Sequence, residues 1–152
     1  MRWLKAGGLM TGEGSNPVKF IVWGEPQGKQ RVRVANGHGY TPQKTVEYEA
    51  EVVRSIRRDC PGFVRWEKGI PLRVRIYAYY GIPKSASKRD EAAMRSGALR
   101  PTKKPDADNI EKVICDALNA VLWHDDAQIV DSRCIKAYGE PRVEVEVSPI
   151  KY

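Results

Sequence analysis

The chain has 152 residues, 41% of them hydrophobic and 30% charged, and carries a formal net charge of +7. That composition fits a single soluble domain long enough to bury a core. It excludes a membrane-spanning helix, because no apolar run approaches the roughly 20 residues required, and no signal-peptide-like segment opens the chain. The excess of lysine and arginine favours a polyanionic partner such as nucleic acid. Cys60, Cys115 and Cys134 are odd in number and show no C-x-x-C spacing, which predicts reduced thiols in a cytoplasmic protein.

Residues 1–16 are rich in glycine and lack periodicity, and are expected to form a loose leader to a domain spanning 17–152. Val18, Phe20 and Val22 alternate with Lys19, Ile21 and Trp23, a strand pattern. Gly24 to Gly39 reads as a basic loop with Asn36-Gly37 as a hairpin signal. If extended, it points Lys29, Arg31 and Arg33 the same way, either as a solvated loop or as an arm that grips phosphates. Thr41-Pro42 reads as an N-cap and first helical residue, and Val46, Ala50 and Val53 predict a helix from about Pro42 to Arg58. Ile70 to Tyr80 alternates strongly and predicts a strand with one core face.

Lys84 to Lys104 is a basic insert carrying Lys88, Arg89, Lys103 and Lys104. Ser87 is placed to cap a short helix inside it and Gly97 to end that helix. Ile110, Val113, Ile114, Ala117, Leu118 and Val121 follow helical spacing, predicting a helix from about Asp108 to Ala120. A turn at Trp123–Asp126 precedes a strand from about Gln128 to Tyr138, and Val143, Val145 and Val147 predict its hairpin partner beyond Gly139-Glu140-Pro141. The order of elements implies an α+β single domain with a mixed or antiparallel sheet packed by helices.

The most informative stretch places Asp106, Asp108, Glu111, Asp116, Asp125 and Asp126 around a single basic residue, Lys112, in an otherwise basic chain. Clustered carboxylates repel one another, and a divalent cation is the commonest reason to gather them. Mg²⁺ is held by one or two carboxylates, with phosphates and waters completing its shell. An acidic metal pocket in a basic protein is the charge layout of an enzyme that cuts nucleic acid. A carboxylate-held ion polarises the phosphoryl oxygen and activates water, and Lys112 is placed to neutralise charge on the phosphate.

Asp108, Lys112 and Asp116 share the helix face opposite the apolar stripe. Asp125 and Asp126 lie beyond the helix end, roughly 18 Å along the axis from Asp108. They meet Asp108 only if the turn folds back alongside, or if a second subunit supplies them. A structural reading stands beside this one. Asp106 or Asp108 caps the helix, Asp116 pairs with Lys112, and Asp125-Asp126 makes a turn.

The string Lys104 to Asp131, with its D-x-D-N, lysine, aspartate and W-x-D-D order, resembles the RusA family of Holliday-junction resolvases, common in prophages. The likeness runs over roughly Val18 to Val147, and the segments G-K-Q-R-V-R, Y-T-P and R-P-T-K-K-P share it. The resemblance implies a RusA-like α+β fold and a homodimeric, Mg²⁺-dependent endonuclease, with Mn²⁺ as a substitute ion. It implies paired symmetric nicks in four-way DNA junctions during recombination and repair. It assigns the catalytic and metal roles to Asp106, Asp108 and Asp126 and a catalytic role to Lys112, with Asn109, Asp116 and Asp125 as accessory positions. Lys29, Arg31, Arg33, Lys88, Arg89, Lys103 and Lys104 are the expected DNA contacts. Ala107 stands where leucine is usual in D-x-D, and the leader and basic insert leave substrate preference open. A non-catalytic branched-DNA-binding protein and a nuclease for flap or other branched DNA are the alternatives.

Overall fold

The computed structural model describes residues 16–151, so the expected leader lies, apart from Asn16, outside the described residues. The elements run β1 (Val18–Trp23), β2 (Arg33–Ala35), β3 (His38–Tyr40), α1 (Gln43–Asp59), β4 (Leu72–Tyr80), α2 (Lys88–Ser96), α3 (Ala107–Leu118), β5 (Ile129–Tyr138) and β6 (Arg142–Pro149). The main sheet has the strand order β1-β6-β4-β5, with β4 and β5 parallel and the other pairs antiparallel. This is the mixed sheet of an α+β domain.

Register explains where the core sits. Val18, Val147 and Val74 line up across β1, β6 and β4, as do Phe20, Val145 and Ile76, then Val22, Val143 and Ala78. All nine side chains are buried against Tyr48, Val52 and Ile56 of α1 and Ile110, Val113, Ile114 and Ala117 of α3. Both helices therefore cover one face of the sheet. The free edge of β1 is closed by the end of α1. There Ile21 N–H donates to Asp59 Oδ2 at 2.9 Å, and the Arg58 guanidinium donates to Ile21 O at 2.7 Å. This covering leaves no open row of backbone groups on that strand segment for another chain to pair with.

Three local expectations are corrected. β6 is not the hairpin partner of β5: it lies between β1 and β4, and β5 pairs with the far side of β4. The connection 139–141 crosses the end of β4, where Gly139 N–H donates to Tyr80 O at 2.9 Å. A side chain at Gly139 would stand 3.2 Å from the Tyr79 ring, on which the Arg142 guanidinium stacks at 3.9 Å. The parallel β4–β5 pair is possible because a long crossover containing α2 and α3 separates the two strands.

In α1 the buried stripe is Thr45, Tyr48, Val52, Ser55 and Ile56, while Val46 is 45% exposed. Two hydroxyl residues hid this face from a hydrophobic count. They tolerate burial because Ser55 Oγ donates to Glu51 O at 2.8 Å, and Thr45 Oγ1 accepts from Gln30 N–H at 3.3 Å. Finally, Pro42 is the N-cap rather than the first helical residue, so Thr41 does not cap α1. The Asn36-Gly37 hairpin forms between β2 and β3, both residues having positive φ. Ser87 caps α2 and Gly97 ends it in the left-handed conformation.

Candidate active site

The first turn of α3 carries the acidic motif. The helix buries Ile110, Val113, Ile114, Ala117 and Leu118, which leaves Asp108 and Lys112 exposed on its opposite side. Asp106 occupies the N-cap, yet its carboxylate makes no capping bond; only its carbonyl engages the helix, accepting from Ile110 N–H at 3.0 Å. Asp106 and Asp108 are both exposed, and among the described residues no hydrogen bond or ion pair occupies either carboxylate. Two carboxylates two residues apart at a helix N-terminus gain from the helix dipole, and their oxygens remain free for another ligand. Lys112, one turn further, is exposed and likewise unpaired among the described residues.

Asp116 turns away from Lys112. Its Oδ2 lies 3.0 Å from the Lys29 ammonium, which also meets Glu49 Oε1 at 2.5 Å. The expected Lys112–Asp116 pair does not form. Burial draws the Lys29 ammonium down, while its bonds to Glu49 and Asp116 push it up, and the net effect holds it above the ordinary lysine value.

The second acidic pair lies past the far end of α3. Asp125 caps a single 3₁₀ turn, Asp126–Gln128, its Oδ1 accepting from Ala127 N–H at 2.8 Å. Gln128 completes a reciprocal capping box: its Oε1 accepts from Asp125 N–H at 3.2 Å and from His124 N–H at 2.9 Å. Asp126 Oδ1 accepts from the indole N–H of fully buried Trp123 at 2.8 Å. The Asp126 charge reaches the Cys115 thiol, which is pushed up to about 12 by burial first and then by Glu111, Asp126 and Asp116. Asp126 is thus held at Trp123, beyond the C-terminal end of α3, whereas Asp106 and Asp108 lie at its start. Among the described residues no group of three His, Cys, Asp or Glu side chains comes together closely enough to hold a metal ion.

Asp106 opens onto a cleft of about 410 Å³ lined by Gln27, Lys29, Lys44, Lys104 and Asn109, between the 26–30 loop and the first turns of α1 and α3. The segment leading into α3 is braced from the sheet. Tyr80 donates its hydroxyl to Pro105 O at 2.8 Å, and Lys136 of β5 donates to Lys103 O at 2.6 Å. The Lys103 and Lys136 ammoniums also lie over the Tyr80 ring, at 5.6 and 5.1 Å.

Of the other expected DNA contacts, Arg31 and Arg33 are exposed on the arm, and Lys88 and Arg89 are exposed on the first turn of α2. Sequence reasoning missed Lys44, Lys136, Gln128 and the donor role of Trp123 toward Asp126. Of these, the D-x-x-Q spacing from Asp125 to Gln128 was a readable capping signal. Lys44 and Lys136 carried none, because only the packing of α1 and β5 brings them to the cleft and its approach.

Comparison with known proteins completes the picture. Residues 24–148 match the family described as Endodeoxyribonuclease RusA. The chain is also 36% identical over 140 residues to the uncharacterized protein YqaN of Bacillus subtilis (strain 168), an alignment covering 88% of this chain and 96% of YqaN.

Proposed function

The chain belongs to the RusA endodeoxyribonuclease family, and on that premise we propose that it is a divalent-metal-dependent endonuclease that resolves four-way DNA junctions by paired symmetric nicks. The observation that carries this reading is the pair of free carboxylates, Asp106 and Asp108, at the start of α3, with Asp106 lining a cleft that also holds Lys44 and Lys104. A purely structural role gives Asp106 a capping bond, and it has none.

The donor set suits Mg²⁺, a hard ion that takes one or two carboxylates and keeps water and phosphate oxygens in its remaining positions. Asp106 and Asp108 would hold it, with Asp126 contributing the oxygen that Trp123 leaves free. Bound there, the ion supplies polarisation of the phosphoryl oxygen, an activated water and stabilisation of the leaving oxygen. Lys112 counters charge developing on the phosphate. Lys44 and Lys104 hold the backbone over Asp106, and the exposed Arg31, Arg33, Lys88, Arg89 and Lys103 extend the positive track along the DNA arms.

Among the described residues of one chain no three His, Cys, Asp or Glu side chains come together closely enough to hold a metal ion, and a homodimer in which α3 of one protomer faces its partner would let each centre draw on two chains. The proposed setting is the cytoplasm, in recombination and repair; no helix among the described residues is long and apolar enough to cross a membrane.

The test is incubation of the protein with a synthetic mobile four-way junction, read on a denaturing gel. Symmetric nicks on opposing strands in Mg²⁺ or Mn²⁺, absent in EDTA, are the expected result. An intact junction in both metals, despite tight binding, would move the chain to a non-catalytic branched-DNA binder.

A further inference from the structure

We propose that Lys29 is a positioning residue for the Asp106 cleft and not a DNA contact; the role in cleavage rests on the nuclease reading above. Lys29 carries two carboxylates, Glu49 of α1 at 2.5 Å and Asp116 of α3 at 3.0 Å, with its side chain only 18% exposed. One cation between two anions leaves a local charge of about −1 at this point, which repels a phosphate. Swinging Lys29 out toward DNA would strand two partly buried carboxylates without a partner, a strongly unfavourable step.

The surrounding contacts say what the bridge does. Lys29 N–H donates to Asn109 O at 3.0 Å, in the first turn of α3, and the next residue, Gln30, donates its N–H to Thr45 of α1. Gly28 presses against the same turn so closely that a Cβ there would lie 2.8 Å from Pro105 Cβ and 3.0 Å from Asn109 Cβ. The loop is thus wedged between the two helices. Lys29 ties α1 to α3 across it, which sets the distance between the cleft wall holding Lys44 and the helix start holding Asp106 and Asp108. A small displacement of that helix start misplaces the reacting groups.

The experiment compares Lys29→Met, Lys29→Arg and Asp116→Asn with the wild-type chain in three readouts. These are single-turnover nicking of a four-way junction at saturating protein, junction affinity against salt without metal, and amide hydrogen exchange along α3. Lys29→Met is expected to slow nicking on the order of ten- to a hundredfold and to leave the salt slope of binding unchanged. Lys29→Arg should restore part of the rate, and Asp116→Asn should reproduce part of the loss. Exchange should rise at residues 110–112, whose amides are the first of α3 with helical acceptors, while the sheet stays protected. Arg31→Ala, on the exposed arm, should instead reduce the salt slope by about one.

A salt slope reduced by about one in Lys29→Met, with the saturated rate intact, overturns the positioning role. So does unchanged exchange at the start of α3. If the wild-type chain does not nick, but Lys29→Met still loosens residues 110–112 without altering the salt slope, the nuclease reading falls and the positioning of the cleft by Lys29 stands.

Discussion

Asp126 is bound by the indole N–H of Trp123, 2.8 Å away, and Trp123 is fully buried. The core therefore aims one of the carboxylates that the sequence marks for metal binding. Trp123→Phe keeps most of the buried ring and removes the donor. Loss of a hydrogen bond to a charged group predicts a destabilisation of about 1.5–3 kcal/mol, measured by urea denaturation, together with slower nicking. Asp126→Asn keeps a weaker, neutral acceptor for Trp123 and is expected to lower the urea midpoint less than Trp123→Phe does, while nicking is lost.

Asp106→Ala separates a cap from a ligand. A capping aspartate loses about 1 kcal/mol of stability on truncation to alanine. Because the Asp106 side chain makes no capping bond, only its weaker interaction with the helix dipole is lost, roughly 0.3–1 kcal/mol, and the main loss appears in Mg²⁺-dependent activity.

Complementation tests which chain supplies each carboxylate. The Asp108→Asn and Asp126→Asn variants, each forming the proposed homodimer, are expected to be inactive. If a centre draws Asp108 from one protomer and Asp126 from its partner, a mixed dimer keeps one intact centre, and mixing the variants restores roughly a quarter of wild-type centres. Mixtures that stay inactive place the carboxylates of each centre in a single chain.

Acid stability has a local signature at the β5 edge. Bonds from Arg75 and then Arg73 lower the Asp131 carboxyl to about 2. Its folded value lies below the unfolded value of about 3.9, so the stability it contributes is present above roughly pH 4 and lost as pH falls through about 2. Asp131→Asn is expected to flatten the dependence of the urea midpoint on pH across that window, relative to the wild-type chain.

Electrostatic binding sets a salt slope. If about six phosphates are neutralised, the logarithm of junction affinity falls with a slope near −5. Removing Lys104, which lines the Asp106 cleft, should shift that slope by about one.

The legible parts of the fold are those with a strict period or with a capping residue at each end. β4 showed its core face through Leu72, Val74, Ile76 and Ala78, α3 through Ile110 to Leu118, and α2 through Ser87 and Gly97. The helix of α1 is legible in the sequence but its buried face is not, because Thr45 and Ser55, which satisfy their hydroxyls locally, occupy core positions. The place of β6 was invisible because alternation marks a strand without naming its partner. At the site, the acidic motif was legible in the spacing, but the engagement of Lys29 with Glu49 and Asp116 was not. Glu49 lies 20 residues from Lys29 in the chain, and only the docking of α1 beside α3 brings it near.

The most direct measurement is the single-turnover nicking rate of Asp108→Asn on a four-way junction in Mg²⁺, with junction affinity determined in parallel. Affinity equal to or tighter than wild type and a rate reduced by at least about a hundredfold are expected. Nicking at the wild-type rate by that variant would remove Asp108 from the chemistry.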